Sequence, residues 1–331
     1  MRRILAGALI ALCMAANARA HAECLAAPPA PPSANANADA DALAQHQPEW
    51  ALGDTRMDRM GRVVAPVTVN GHGPYRFIVD TGANRSVISS DLAQELGLTM
   101  NGVGDVHSIE GVTQAPLTSI DNISYARLPL STGRIPVLQR DAVLAGEAGI
   151  LGVDGMAGRR LRLDFRHRCI EIIPSRSAPR LRGWVTVQGV LRFNRLVTLR
   201  ARIRGVAVNL LLDTGSSGSF ANNALRAALG PVQASRDSIA TGRAFTAGRP
   251  IVLDQIMVIP QILIGADLAI NHVTAFVGDY HIFTLWGMQD EPTLLVGMDV
   301  LSQAREVAID YDHATISFRM LRALPMERRG L

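Results

Sequence analysis

Two stretches of the 331-residue chain read almost alike, Phe77-Ile78-Val79-Asp80-Thr81-Gly82-Ala83 and Leu210-Leu211-Leu212-Asp213-Thr214-Gly215-Ser216. Each is an apolar run that ends in Asp-Thr-Gly, and the same local pattern leads into each. Val63 to Val69 reads as a strand, Asn70-Gly71-His72-Gly73 as a turn, and Tyr75 to Val79 as the return strand that delivers Asp80. Leu196 to Ile203, Arg204-Gly205 and Val206 to Leu212 repeat that order and deliver Asp213. A lone Asp-Thr-Gly is an ordinary turn after a strand, because Asp is favoured in turns. Two copies at equivalent points require a fold that repeats.

The parallel continues downstream. Ser86 to Leu96 and Phe220 to Leu229 each read as a strand or turn entering a short helix, closed by Gly97 or Gly230. A polar, Gly-containing stretch follows in each half, Val103 to Ala115 and then Ala240 to Pro250. Last comes an apolar-apolar-Gly signature, Ile150-Leu151-Gly152 and Leu295-Val296-Gly297, leading into a closing strand pair that ends near Ile172 and Phe318. This is an internal duplication. The halves differ in length: 72 positions separate Asp80 from Gly152, and 84 separate Asp213 from Gly297. The excess falls in Gly265 to Pro292, which carries Tyr280, His281, Phe283 and Trp286 and can either wall a cleft or pack on its own domain. Gly155 and Gly158 should weaken any helix after Gly152, by about 1 kcal/mol each relative to Ala.

The termini have a different character. Met1-Arg2-Arg3, the apolar Ile4 to Ala16 and Ala18-Arg19-Ala20 have the pattern of a secretory signal peptide over residues 1–20, too short in its apolar part for a comfortable membrane span. Residues 21–56 form an Ala/Pro-rich tether without the periodic apolar residues a core needs. A first domain over 57–176, a linker over 177–183, a second domain over 184–322 and a tail over 323–331 complete the division. Loss of the leader would leave thirty Arg against twenty-nine acidic residues, a net of +1, which gives no basis for nucleic-acid binding. Of the cysteines, Cys24 and Cys169 would remain, read as unpaired thiols although a secreted compartment permits a bridge. The eight His are scattered without metal-ligand spacing, so neither a metal nor another cofactor is expected.

Taken together, these residues resemble the retropepsin-like aspartic peptidases, in the bacterial form with two such domains in tandem on one secreted chain. The resemblance spans about Gly61 to Met320 and rests on Asp80-Thr81-Gly82-Ala83, Asp213-Thr214-Gly215-Ser216 and the two later Gly signatures. It implies an all-β protein of two acid-protease barrels related by a pseudo-two-fold axis, with a central cleft. It implies that Asp80 and Asp213 are the catalytic pair, supported by Thr81, Gly82, Ala83, Thr214, Gly215 and Ser216, with Thr81 and Thr214 in a network that joins the loops. The later Gly-containing strand should thread beside each catalytic loop. Flexible hairpins over the cleft would match Val103 to Ala115, with Gly111, and Ala240 to Pro250, with Gly242. The implied activity is a secreted or periplasmic aspartic endopeptidase acting on protein or peptide, a monomer with an intrachain pseudo-dimer and no stable membrane insertion. A non-catalytic peptide-binding module on the same fold, and a peptidase active only as a homodimer, are the alternatives.

Hydrolysis without a metal or a covalent nucleophile needs one group to take a proton from water and another to give one. Two carboxylates sharing a proton supply both, because like charges a few ångströms apart cannot both ionise easily; aspartic peptidases are the standard instance. Gly after Asp-Thr permits a tight backbone turn. Ser216 in place of Ala83 predicts that Asp213 is the more acidic member, through a hydroxyl donated to its carboxylate. Asp154 and Asp299 read as helix caps, and Asp164 and Asp310 as turn or strand residues at the domain edge.

Overall fold

The computed structural model describes residues 58, 60–125, 128–139, 144–167, 169–230, 242–244, 251–253 and 255–320. The leader, the 21–56 tether and the 323–331 tail lie outside the described residues, as does Cys24, and with it any bridge to Cys169. The first half runs through β1 (Val64–Val69), β2 (His72–Val79), β3 (Val87–Ser89), α1 (Ser90–Glu95), β4 (Met100–His107), β5 (Val112–Tyr125), β6 (Leu128–Leu138) and β7 (Gly149–Leu151), then β8 (Arg159–Asp164) and β9 (Cys169–Pro174). The second begins with β10 (Val185–Gln188) and β11 (Val190–Arg192), then follows the same plan: β12 (Leu196–Ile203), β13 (Val206–Leu212), β14 (Ser219–Ala221), α2 (Asn223–Leu229), β15 (Gly242–Ala244) and β16 (Ile251–Leu253). It closes with β17 (Ile256–Ile264), β18 (Leu268–Val277), α3 (His281–Leu285), β19 (Thr293–Val296), α4 (Met298–Leu301), β20 (Ala304–Asp310) and β21 (Thr315–Met320).

Each half is a closed barrel. The first sheet runs β1-β2-β7-β3-β6-β5 and returns to β1 through a β1–β5 pairing; the second runs β12-β13-β19-β14-β18-β17 and returns through β12–β17. Closure removes most free edges, which lets short strands persist. The strands that lead to the Asp-Thr-Gly loops are covered on both faces where they end, so they read as continuous apolar runs: Phe77, Ile78 and Val79, like Leu210, Leu211 and Leu212, are all 4 % exposed or less. Burial of each such side chain contributes roughly 1.5–3 kcal/mol relative to exposure.

A third sheet, β10-β21-β20-β8-β9, takes strands from both halves. β8 and β20 pair antiparallel, with Leu161 opposite Ile309 and Leu163 opposite Val307, all fully buried. The alternate positions are charged: Arg162 meets Glu306 at 2.6 Å, and Arg319 meets Glu306 at 2.8 Å. The turns that end β8 and β20 repeat one device. Asp164 accepts the His167 amide at 2.9 Å and lies 2.8 Å from its Nδ1; Asp310 does the same with His313, both at 3.1 Å. These turn roles agree with the sequence reading of Asp164 and Asp310.

After the first Gly signature the chain makes only a short 3-10 turn, Val153–Gly155, where the second half forms α4. That difference follows the two glycines noted above. The aromatic side chains of the long Gly265 to Pro292 segment pack on their own domain. Phe283 and Trp286 are buried, and Tyr280 meets Phe220 edge-on at 5.2 Å. Asn222, which caps α2 by accepting the Leu225 amide at 2.9 Å, also donates to the carbonyls of Met288 (2.8 Å) and Glu291 (2.7 Å), tying that segment down.

Candidate active site

Each Asp stands at the last rung of a parallel pair. β2 runs beside β7 with Val79 opposite Leu151, and β13 beside β19 with Leu212 opposite Val296. The next amides continue the ladder: Asp80 N donates to Leu151 O at 3.0 Å, and Asp213 N to Val296 O at 2.9 Å. Beyond each Asp the loop is held by the residue after the Gly signature, Val153 N donating to Ala83 O (2.9 Å) and Met298 N to Ser216 O (2.8 Å). The later strand therefore threads beside each loop.

Thr81 and Thr214 lock the two loops together by a reciprocal exchange. Thr81 Oγ1 donates to Leu212 O at 2.7 Å and accepts the Thr214 amide at 3.1 Å. Thr214 Oγ1 donates to Val79 O at 2.6 Å and accepts the Thr81 amide at 3.1 Å. Both threonines are buried, so these four groups have no water to fall back on.

The carboxyls then meet across the seam. A Cβ on Gly82 would lie 2.7 Å from Asp213 Cγ, and one on Gly215 would overlap the Asp80 carboxyl. Neither glycine has a positive φ, so it is the approach of the opposite carboxyl, not the handedness of a turn, that requires Gly here. Asp80 Oδ1 accepts the Gly82 and Ala83 amides at 2.8 and 2.9 Å; Asp213 Oδ1 accepts Gly215 N at 2.9 Å. Both aspartates keep part of their surface open while their carboxyls sit deep among protein atoms.

Burial is the largest influence on both, pushing each up from the ordinary carboxylate range. For Asp80 the rise is opposed by a hydrogen bond from Asp213, by its two amides and by the charge of Arg62. For Asp213 the charge of Asp80 adds to burial and drives it well above the ordinary value. Both carboxyls are thus held toward the protonated form, Asp213 more strongly than Asp80. The order expected from Ser216 loses its basis. Its hydroxyl donates to Gly218 O at 2.7 Å and not to the Asp213 carboxylate, so the stabilisation supposed for Asp213 does not exist.

Asp154 and Asp299 are not caps in the sense expected. They lie in the first turn after Gly152 and Gly297 and accept hydroxyl bonds from Ser86 (2.6 Å) and Ser219 (2.9 Å). Those same serines accept the Gly152 and Gly297 amides, each at 3.1 Å. Burial, partly offset by the Ser219 hydroxyl and backbone amides, pushes Asp299 up to about 6.

The hairpins differ. β4 and β5 form a long ribbon whose turn joins Ser108 N to Gly111 O at 2.8 Å. Its His107 Nδ1 lies 3.0 Å from Nε2 of His281 in the second half. The rings are within 9° of parallel with centroids 5.4 Å apart, about the N···N distance plus two ring radii, so they meet edge to edge through one N–H···N bond. Gly111 sits in that turn with no neighbour crowding its Cβ position, and Gly242 stands opposite Leu253 in the small β15–β16 ribbon. Residues 245–250, the rest of that second hairpin, lie outside the described residues. No sequence pattern marks His107 or His281, because their meeting joins positions 174 apart. Among the described residues, no three His, Cys, Asp or Glu side chains converge as a metal would require.

A family model described as aspartyl protease matches the chain twice, over residues 65–154 and 199–300. Those regions contain both Asp-Thr-Gly loops and both later Gly signatures. No curated protein matches the chain.

Proposed function

The chain belongs to the aspartyl protease family, and from that premise we propose that it is a secreted or periplasmic endopeptidase whose single active site is made by Asp80 and Asp213 together. The observation that carries this reading is the hydrogen-bonded carboxyl pair, one from each half, on loops locked by the Thr81–Thr214 exchange. A peptide lies in the cleft with its scissile carbonyl over the pair. Asp80, as base, takes a proton from a water held between the carboxyls, and the hydroxide oxygen adds to the carbonyl carbon. Asp213 gives its proton to the carbonyl oxygen, so no full negative charge develops there. The resulting diol collapses: the C–N bond breaks, the nitrogen takes up the proton held by Asp80, and a diol hydroxyl returns its proton to Asp213.

Both carboxylates belong to one chain, which supports a monomeric species with an intrachain pseudo-dimer. An extracytoplasmic location is supported by Met1-Arg2-Arg3, the apolar stretch after it and Ala18-Arg19-Ala20. Among the described residues no helix is long and apolar enough to cross a membrane. The test is incubation of the mature protein with a diverse peptide library across pH, beside Asp80→Asn. Internal cleavage that is lost in the variant and blocked by a pepstatin-type inhibitor is expected; peptides bound but uncut at every pH would overturn the reading.

A further inference from the structure

The duplication allows the surroundings of the two carboxylates to be compared position by position, and they do not match. In the β1–β2 ladder Val64 faces Ile78, and Val79 N donates to Val63 O at 2.8 Å, so the next residue back, Arg62, lies opposite Asp80. In the β12–β13 ladder Thr198 faces Leu211, and the same count puts Leu196 opposite Asp213. A second equivalent pair comes from the shared sheet. Tyr311 N donates to Arg159 O at 2.9 Å, and Phe165 N donates to Arg305 O at 3.1 Å, one rung beyond Asp310 and Asp164 respectively. Arg62 and Tyr311 thus stand where the symmetry-related places hold Leu196 and Phe165.

Neither polar residue is on the surface. Arg62 is 5 % exposed and anchored by Asp58, whose Oδ2 accepts Nε at 2.5 Å while its Oδ1 takes the amides of Met60 (2.9 Å) and Arg62 (2.8 Å). Arg62 Nη2 touches the same Oδ2 at 2.5 Å but lacks the alignment of a hydrogen bond. Tyr311 is 1 % exposed, and its buried hydroxyl has no hydrogen-bond partner among the described residues. Burial and then the charge of Asp80 push the Tyr311 phenol up, which is how a phenol beside that carboxylate would respond. A buried orphan donor is costly and needs a reason.

We infer that Arg62 and Tyr311 are positioning residues that act through Asp80 and assign it the role of base. The inference rests on the peptidase reading above and adds what breaks the symmetry of its pair. A fixed cation opposite one carboxylate favours charge there. A buried phenol that feels the charge of the same group can turn its O–H toward it when it is ionised. Leu196 and Phe165 offer Asp213 neither, so the proton stays on Asp213 between turnovers and water is deprotonated by the same residue each time. Among the described residues, the charged and titratable groups that interact with Asp80 are Asp213, Arg62 with its partner Asp58, and Tyr311.

The test combines a carboxyl-carbon NMR titration of the full chain, labelled at Asp, with the pH profile of kcat/KM for a cleaved peptide. Three variants are compared: Tyr311→Phe, the double variant Asp58→Asn/Arg62→Leu, which mirrors Leu196 without stranding a buried carboxylate, and Arg62→Lys. The double variant should raise the lower ionisation of the pair, and move the acidic limb of kcat/KM upward, by about one pH unit. Tyr311→Phe should move both by a smaller step in the same direction, and Arg62→Lys should keep both near the parent values. Folded variants that all titrate with the parent would overturn the inference. Tyr311→Phe conserves volume and decides the matter alone if the double variant does not fold. Absence of cleavage by the parent protein would instead count against the peptidase reading, since the NMR titration reports the pair without turnover.

Discussion

In the first half Ser89 caps α1 by accepting the Leu92 amide at 3.1 Å; in the second, Asn222 caps α2 in the same way and uses its amide nitrogen to hold the Met288 and Glu291 carbonyls. The contrast recurs throughout. The hydrogen bonds that fix the loops are duplicated, from the Thr81–Thr214 exchange to the Ser86–Asp154 and Ser219–Asp299 bonds, whereas other side chains diverge wherever a half faces something its counterpart lacks. A long hairpin projects from the first half and docks through His107, while the second half supplies the docking residue, His281, from the segment that Asn222 secures. A duplicated fold preserves the geometry that brings two carboxyls together, and single substitutions then give the two different surroundings.

The largest effects should come from breaking the pair itself. Asp80→Asn and Asp213→Asn should each lower kcat by about a thousand-fold or more with the fold intact, since general acid and base roles of this kind contribute 10²–10⁴ each. Substantial activity left in either variant, measured by peptide cleavage with circular dichroism as control, would mean that the halves do not act as one site. Thr81→Val and Thr214→Val come next. Each strands a buried carbonyl and a buried amide, for an expected loss of about 3 kcal/mol in urea unfolding. Equal losses are expected because the bonds are reciprocal, and a clear inequality would show that one loop leans on the other.

Asn222→Ser converts the second cap into the first. The helix keeps its cap but the aromatic segment loses its tether, at a cost of about 2 kcal/mol with faster amide exchange confined to residues 280–291. Asp299→Asn tests a pH effect of comparable size. The folded Asp299 is raised to about 6, above the ordinary value of 3.8, so the fold favours its protonated form. That contribution is complete below the ordinary value and is lost as pH rises through about 6, a change of about 3 kcal/mol. Thermal unfolding of the parent should therefore weaken over this window, and Asp299→Asn should flatten that part of the profile. Smallest in stability should be His107→Ala and His281→Ala, each within about 0.5 kcal/mol because the contact is at the surface. Their effect should appear in KM, raised a few-fold by freeing the hairpin; unchanged KM in both would show that the contact does not matter to substrate entry.

Much of the fold was legible in order along the chain. The paired hairpins, the short helices closed by Gly97 and Gly230 and the later Gly signatures all depend on neighbours within about ten residues, and strand and turn preferences act over that range. The Ser216 hydroxyl illustrates the limit. Its chemistry suggested a bond to Asp213, and only the path of the loop, which puts Gly218 O 2.7 Å away, decided otherwise. The requirement for Gly82 and Gly215 was likewise visible, but its cause, the opposite carboxyl, was not.

By itself the sequence determined that the chain is duplicated, that each half delivers an Asp-Thr-Gly loop from an apolar hairpin, and that the loops are candidates for one catalytic pair. These follow from repeated patterns and local preferences, which need no knowledge of what lies across space. The tertiary structure alone decided that β8 and β20 join the halves in one sheet, that His107 meets His281, and that the Asp80 and Asp213 loops meet with each carboxyl against the opposite glycine. Each depends on groups more than a hundred residues apart, such as Thr81 and Thr214 at a separation of 133, whose electrostatic and hydrogen-bond energies vary with distance through the folded protein and not with distance along the chain.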